Sequence, residues 1–153
     1  MNEIKKEYVR FQRANYIVTD LDKSLKLYCN VLGMINQYEA DAPDISYSYD
    51  VFEIKKTNKI RWAVLGTPDQ LRVMALTEIK DGKLKPIPNP KRCAIVIEVG
   101  NVDRIISEAA ALGCHIHREE ELVTHDGRIG REVGINDFDG NLIVIYHIPK
   151  KTN

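Results

Sequence analysis

An internal repeat constrains the fold of this chain more than any other feature of its sequence. Residues 18–22 read Val-Thr-Asp-Leu-Asp, and residues 99–103 read Val-Gly-Asn-Val-Asp, each after a run rich in β-branched residues. In both copies a helical spacing of apolar residues follows and ends at Leu-Gly, at residues 32–33 and 112–113. Because repeats decide an architecture, the chain is predicted to be two copies of one strand–helix–strand–strand–strand module.

Apolar patterning and turn residues place the elements of each copy. The first module is predicted to hold a helix over residues 20–32 and strands over residues 15–19, 34–39, 45–54, 60–65 and 71–77. The second is predicted to hold a helix over residues 102–112 and strands over residues 93–99, 114–119, 131–136 and 141–148. We therefore expect a first module over residues 1–79, a proline-rich linker over residues 80–92 and a second module over residues 93–153, which together form one domain.

Charge and composition limit the partners that the chain can have. The 22 basic and 22 acidic side chains balance, so no excess charge favours nucleic acid or an anionic membrane. No apolar run has the length of a membrane span, and the charged N-terminus lacks the apolar stretch of a signal peptide. The three cysteines have no Cys-x-x-Cys spacing and favour neither disulfides nor a zinc ribbon. We expect a soluble, cytoplasmic protein.

Two segments resemble motifs of the vicinal oxygen chelate superfamily, which includes glyoxalase I, extradiol dioxygenases, fosfomycin resistance enzymes and bleomycin resistance proteins. Residues 18–34 resemble its first motif. Residues 127–143 are similar to its C-terminal motif, with Phe138 where the family usually has proline. The resemblance implies an α+β fold of two βαβββ modules whose curved mixed sheets enclose a small-molecule cavity. It also implies a homodimer, and in many members a divalent metal held by His and Glu side chains.

The positions of those metal ligands can be placed in this sequence by register with the two motifs and the repeat. They fall on Arg13, Met74, Ala94 and Val144. None of these side chains is a normal ligand of a hard or borderline divalent ion, and arginine would repel it. We therefore expect no metal and no cofactor. A metal on displaced ligands, such as His115 and His117, is an alternative, although an exposed polar strand face and turn explain those two histidines more simply.

Strand alternation predicts which side chains line the cavity in place of the metal. Arg13, Glu98 and Tyr146 are the candidate catalytic groups, because guanidinium groups suit oxyanions and the other two can transfer protons. The candidate ligand-binding residues are Asn15, Tyr47, Tyr49, Arg72, Met74, Val96 and Val144. Purely structural roles stay open: an Arg13–Glu98 ion pair that fills space, and tyrosines that pack across strands or in the core.

Two functions follow from this pattern. The first is a protein that binds an apolar, anionic or aromatic small molecule without a metal. The second is a metal-independent isomerase, lyase or cyclase that uses Arg13 with Glu98 or Tyr146. The sequence leaves open whether the two modules close on each other within one chain or between chains.

Overall fold

The structure, a computed structural model, describes residues 7–151 and contains two mixed sheets. The first module consists of β1 (Ala14–Val18), α1 (Leu21–Leu25) with its π-helical continuation Lys26–Val31, β2 (Ile35–Asp41), α2 (Tyr47–Val51), β3 (Ile60–Gly66) and β4 (Met74–Ile79). Its strands lie in the order β1-β4-β3-β2, with β1 parallel to β4 and the other pairs antiparallel.

The second module repeats this topology. It consists of β5 (Ala94–Glu98), α3 (Val102–Ala111), β6 (His115–Ile116), β7 (Glu120–Val123), β8 (Ile129–Asn136) and β9 (Leu142–His147). The order is β5-β9-β8-β6, β5 is parallel to β9, and β7 pairs with β8. The predicted α+β architecture of two βαβββ-like modules is confirmed. Residues 80–93 between the sheets carry no helix or strand, and the exact division of the chain at residues 80–92 stays a prediction.

Each repeated motif begins its helix through the same capping interaction. The carboxylate of Asp20 accepts a hydrogen bond of 2.9 Å from the Lys23 N–H, and Asn101 accepts one of 3.0 Å from the Arg104 N–H. These side chains satisfy backbone donors that a helix start leaves free. The helix of the first module gives way to the next strand at Gly33, whose φ of +86° glycine adopts without strain.

One hydrophobic core joins the two modules. It contains helix residues of both, among them Leu27, Tyr28, Ile105 and Ala109, together with the helix-facing residues of both sheets. Polar contacts reinforce this junction. The Tyr28 hydroxyl donates to the buried carboxylate of Asp137 over 2.9 Å. Each sheet therefore has one face in the shared core and an opposite face, which we call its open face.

Two predicted strands are wrong. Residues 45–54 hold the helix α2 instead of a strand, because Ser46 caps a helical turn by accepting a hydrogen bond from the Ser48 N–H. Residues 114–119 form only the short strand β6, and the chain then turns into β7, which the apolar pattern did not indicate. In the part of the chain that the structure describes, no helix is long and apolar enough to cross a membrane.

Candidate functional site

The open face of the first module is lined by side chains that alternate with core residues along β1, β3 and β4. Asn15 lies beside Ala75 in the register of β1 and β4, and its side-chain oxygen accepts a hydrogen bond of 2.8 Å from Thr77. Trp62 and Val64 of β3 belong to the same face. Arg13, directly before β1, reaches this face as predicted.

The helix α2 covers one end of this open face. Tyr49 is 2% exposed and packs with Ile54, Ile60 and Ile79, whereas Tyr47 is 74% exposed. The two tyrosines, which the predicted strand over residues 45–54 would place on one face, therefore lie on different faces, because residues two apart in a helix point in nearly opposite directions.

A groove with two compartments lies on this open face, with α2 beside one of them, and we call it the Arg13 groove. Its inner compartment, of about 270 Å³, is lined by Asn15, Ser46, Ser48, Phe52, Ala75 and Thr77. Its outer compartment, of about 540 Å³, is lined by Gln37, Tyr38, Leu71 and Arg72. Arg13, Trp62 and Val64 line both compartments. Polar and apolar side chains line this concave groove in about equal measure, so it offers partners to a small molecule that carries both kinds of group.

The charge of the Arg13 groove has one sign. Arg13 and Arg72 both line it, and its walls, as formed by described residues, contain no carboxylate. Neither arginine takes part in an ion pair within residues 7–151. The guanidinium fork matches planar oxyanions, so the groove suits a ligand with a carboxylate or a similar group.

The open face of the second module has the opposite charge. Its sequence-predicted residues Val96, Glu98, Val144 and Tyr146 lie on the side away from the buried Ile143 and Ile145, as predicted. Val96 is 64% exposed. In the register of the sheet, Tyr146 lies between Glu98 on β5 and Glu132 on β8. The sequence analysis missed Glu132, although its alternation with Val133 marks it as an open-face residue.

The prediction that Met74 occupies a ligand position in the cavity is wrong by one residue. Met74 is 1% exposed and lies in the shared core, at the position that Ile143 holds in the second module. The counterpart of Val144 is Ala75. By this register, the four positions at which the resemblance implies metal ligands become Arg13, Ala75, Ala94 and Val144, with Ala75 in place of Met74.

These four side chains do not fit a metal ion, since none supplies a donor atom to a divalent cation. Across residues 7–151, no group of three or more His, Cys, Asp or Glu side chains is arranged to bind one. His115 and His117 stack edge to face with their ring centres 4.8 Å apart, and Nε2 of His117 bonds to the Asn136 side-chain oxygen over 2.9 Å.

The predicted catalytic groups do not form one cluster within the chain. Glu98 and Tyr146 are neighbours on the second sheet, whereas Arg13 lies on the first. The described residues form no Arg13–Glu98 ion pair, so that structural alternative receives no support. Sequence analysis also missed Gln37, Ser46, Ser48 and Trp62 as groove residues. Of these, Trp62 was open to detection, because it alternates with the core residues of β3.

A larger cavity of about 730 Å³ lies between the modules. It brings together Ala94, Val96 and Glu98, which the sequence analysis placed in one cavity, with Asp69 of the turn before β4, and the core residue Met74 also borders it. Its walls, as far as described residues form them, hold two carboxylates and no cation. This cavity therefore does not suit an anion, whereas the Arg13 groove does.

Comparisons with known proteins agree on one family. The model of the Glyoxalase/Bleomycin resistance protein/Dioxygenase superfamily matches residues 10–145. No curated protein matches the sequence significantly. A glyoxalase family protein from Bacillus cereus has a TM-score of 0.73 and 16% identity over 97% of this chain and 99% of its own. The trypanothione-dependent glyoxalase I of Leishmania major has a TM-score of 0.66 and 20% identity, and the match covers 92% of this chain and 87% of that enzyme. A fosfomycin resistance protein from Listeria monocytogenes has a TM-score of 0.56 and 16% identity, and the match covers 92% of this chain and 94% of that protein. At these identities the likeness shows the shared fold.

Proposed function

Because the chain belongs to the Glyoxalase/Bleomycin resistance protein/Dioxygenase superfamily, we propose that it is a member that binds a small molecule without a metal ion. The observation that carries this proposal is the Arg13 groove. Two arginines lie there beside the ring of Trp62, on the open face of the first module. The chemistry of Arg13, Ala75, Ala94 and Val144 supports the same conclusion, since they supply no metal donor.

The ligand that fits is a planar anion attached to an aromatic or apolar body. Arg13 can form paired charge-assisted hydrogen bonds with a carboxylate, and the Trp62 ring offers an apolar face beside it. Phe52 and Val64 extend this apolar surface into the inner compartment. Both arginines are exposed, so water competes for the anion and affinity from one chain alone is modest.

We include a homodimer in this proposal. The open face of the second module carries Glu98 and Glu132 and exposes Val96, whereas the open face of the first carries Arg13 and Arg72. A second copy that places the acidic face against the basic groove pairs opposite charges and buries Val96. Analytical ultracentrifugation tests this arrangement. We expect a dimer that Val96→Lys dissociates, and a monomeric wild-type protein would contradict it. The cytoplasmic location expected from the sequence stays a prediction.

An enzyme is the alternative function, and one observation favours it. Glu98 and Tyr146 are register neighbours on the second sheet, as a base or acid beside a proton donor needs to be. In the dimer just proposed, these groups of one chain would face Arg13 of the other. Turnover of a bound acid that Glu98→Gln abolishes, with binding retained, would favour an isomerase, lyase or cyclase over a pure binding protein.

Trp62 is the single tryptophan of the chain, so its fluorescence reports on the Arg13 groove alone. The test titrates 3-phenylpropionate into the wild-type protein, Arg13→Gln and the control Arg118→Gln, whose side chain is 86% exposed on the second module. We expect saturable quenching that Arg13→Gln weakens about tenfold or more, because a charge-assisted hydrogen bond is lost. Arg118→Gln should bind like wild type. No saturable signal, or equal binding by all three proteins, would overturn the proposal.

A further inference from the structure

Arg72 is held in an unusual backbone conformation by a side chain from another strand. Its φ of +57° lies in the left-handed region, which residues with a Cβ rarely adopt. The Arg72 N–H donates a hydrogen bond of 2.7 Å to Oε1 of Gln37 on β2. Non-glycine residues in this region persist where surrounding contacts fix them, and they occur frequently at binding sites.

Gln37 occupies an irregularity in the sheet. The pairing of β2 with β3 shifts between Asn36 and Tyr38, which leaves Gln37 as the extra residue of a β-bulge. A bulge changes the direction of a side chain relative to regular alternation. Here the amide of Gln37 lies over Gly66, where an added Cβ would be 2.5 Å from Oε1. The space over Gly66 and the bulge together bring the acceptor oxygen to Arg72.

This backbone conformation decides where Arg72 lies. Met74, two residues later, faces the shared core, so regular alternation would direct Arg72 to the core side as well. Arg72 instead lines the outer compartment of the Arg13 groove. The left-handed turn at this residue breaks the alternation, and Gln37 stabilises that turn.

The two compartments consequently differ in charge. The outer compartment holds both guanidinium groups, since Arg13 and Arg72 line it. The inner one adds Ser46, Ser48, Asn15 and Thr77, whose side chains are uncharged, and its single charge is Arg13 at the shared boundary. An amphipathic molecule has one favourable orientation in such a groove, with its anionic group in the outer compartment beside both guanidinium groups and its neutral ring in the inner compartment beside Phe52.

We infer that the Arg13 groove selects aromatic acids in this orientation, and that Gln37 is a positioning residue that aims Arg72 at the acid group. The inference rests on the proposed function and specifies the ligand class of the same groove. The acid group is a carboxylate or another planar oxyanion, because both make the same paired bonds with guanidinium. Gln37 acts through Arg72, so its loss should weaken the preference for a charged ligand over a neutral one and should leave the binding of the ligand's aromatic ring unchanged.

A matched pair of probes separates these contributions. 3-Phenylpropionate and 3-phenylpropionamide have the same ring and differ in charge, and Trp62 fluorescence measures the affinity of each. For wild-type protein we expect a preference for the acid of about tenfold or more, the value of a charge-assisted bond. Arg72→Gln should reduce that preference severalfold and leave the affinity for the amide within about twofold.

The decisive variant is Gln37→Met, which keeps the volume of the side chain and removes the acceptor oxygen. We expect it to lower the acid preference as Arg72→Gln does, with little effect on the amide, and the double variant to add nothing further. An acid preference unchanged in Gln37→Met would overturn the positioning role. Equal binding of acid and amide by the wild-type protein would overturn the selectivity, whereas binding of a small molecule in the groove without a metal would stand. Binding of neither probe would overturn both.

Discussion

Tyr16 of the first module donates a hydrogen bond of 2.6 Å to the carbonyl of Leu142 in the second module. The same oxygen accepts a hydrogen bond of 2.9 Å from the Ile95 N–H. The ring is 6% exposed, and burial raises the pKa of this hydroxyl above its ordinary value, so it stays protonated and able to donate. The hydroxyl of Tyr16 therefore bonds to one main-chain group of β5 and one of β9, the two parallel strands of the second sheet.

Removal of this hydroxyl should destabilise the junction of the modules. Tyr16→Phe leaves the Leu142 carbonyl and the Ile95 N–H with one partner fewer in a part-buried place, which costs about 1–3 kcal/mol. Urea unfolding measures the loss, and Tyr8→Phe is the control, because Tyr8 is 87% exposed. Equal free energies of unfolding for the two variants would show that the Tyr16 contact contributes nothing.

Because one tyrosine of α2 is buried and the other is exposed, the two should contribute unequally to the stability of the protein. Tyr49→Ala removes a buried ring and should cost about 3–5 kcal/mol of stability, whereas Tyr47→Ala should change it by less than about 0.5 kcal/mol. Tyr49→Phe should cost little, because the Tyr49 hydroxyl is buried and has no hydrogen-bond partner among the described residues. Similar losses for Tyr47→Ala and Tyr49→Ala would instead indicate a strand with both rings on one face.

The three cysteines should react with a thiol reagent at different rates. Cys93 is exposed, Cys29 is half-buried and Cys114 is buried. Burial raises the pKa of the Cys114 thiol to about 11, and burial also raises the pKa of Cys29. Because the thiolate is the reactive form, one thiol per chain should react rapidly with Ellman's reagent at pH 8, and Cys93→Ser should remove that phase. Rapid reaction of Cys114 in the folded protein would contradict the burial described here.

The repeat made the fold predictable, because capping residues and the Leu-Gly helix ends specify each module locally. The strand expected over residues 45–54 failed for a physical reason. Tyrosine and serine alternate there as in a strand, but Ser46 caps a helix whose buried Tyr49 packs against Ile60 and Ile79, which are distant in the sequence. Local alternation does not contain that tertiary information.

The candidate site was partly predictable. Alternation placed Arg13 and Asn15 on the open face correctly, since β1 is regular. The repeat placed Met74 incorrectly, because the strand registers match Val144 with Ala75, one residue further along than the offset between the turns before β4 and β9 indicates. The contribution of Gln37 depends on a bulge in β2, which requires the paired strand to be known.

The Arg13 groove is proposed to bind its ligand without a metal ion, and removal of metals by a chelator tests this property. Protein dialysed against EDTA is titrated with 3-phenylpropionate while Trp62 fluorescence is followed, and the titration is repeated after addition of Zn²⁺ or Mn²⁺. Because Arg13, Ala75, Ala94 and Val144 supply no donor atom, we expect the same dissociation constant within about twofold in every case. Loss of binding after chelation, restored by stoichiometric metal, would contradict the account.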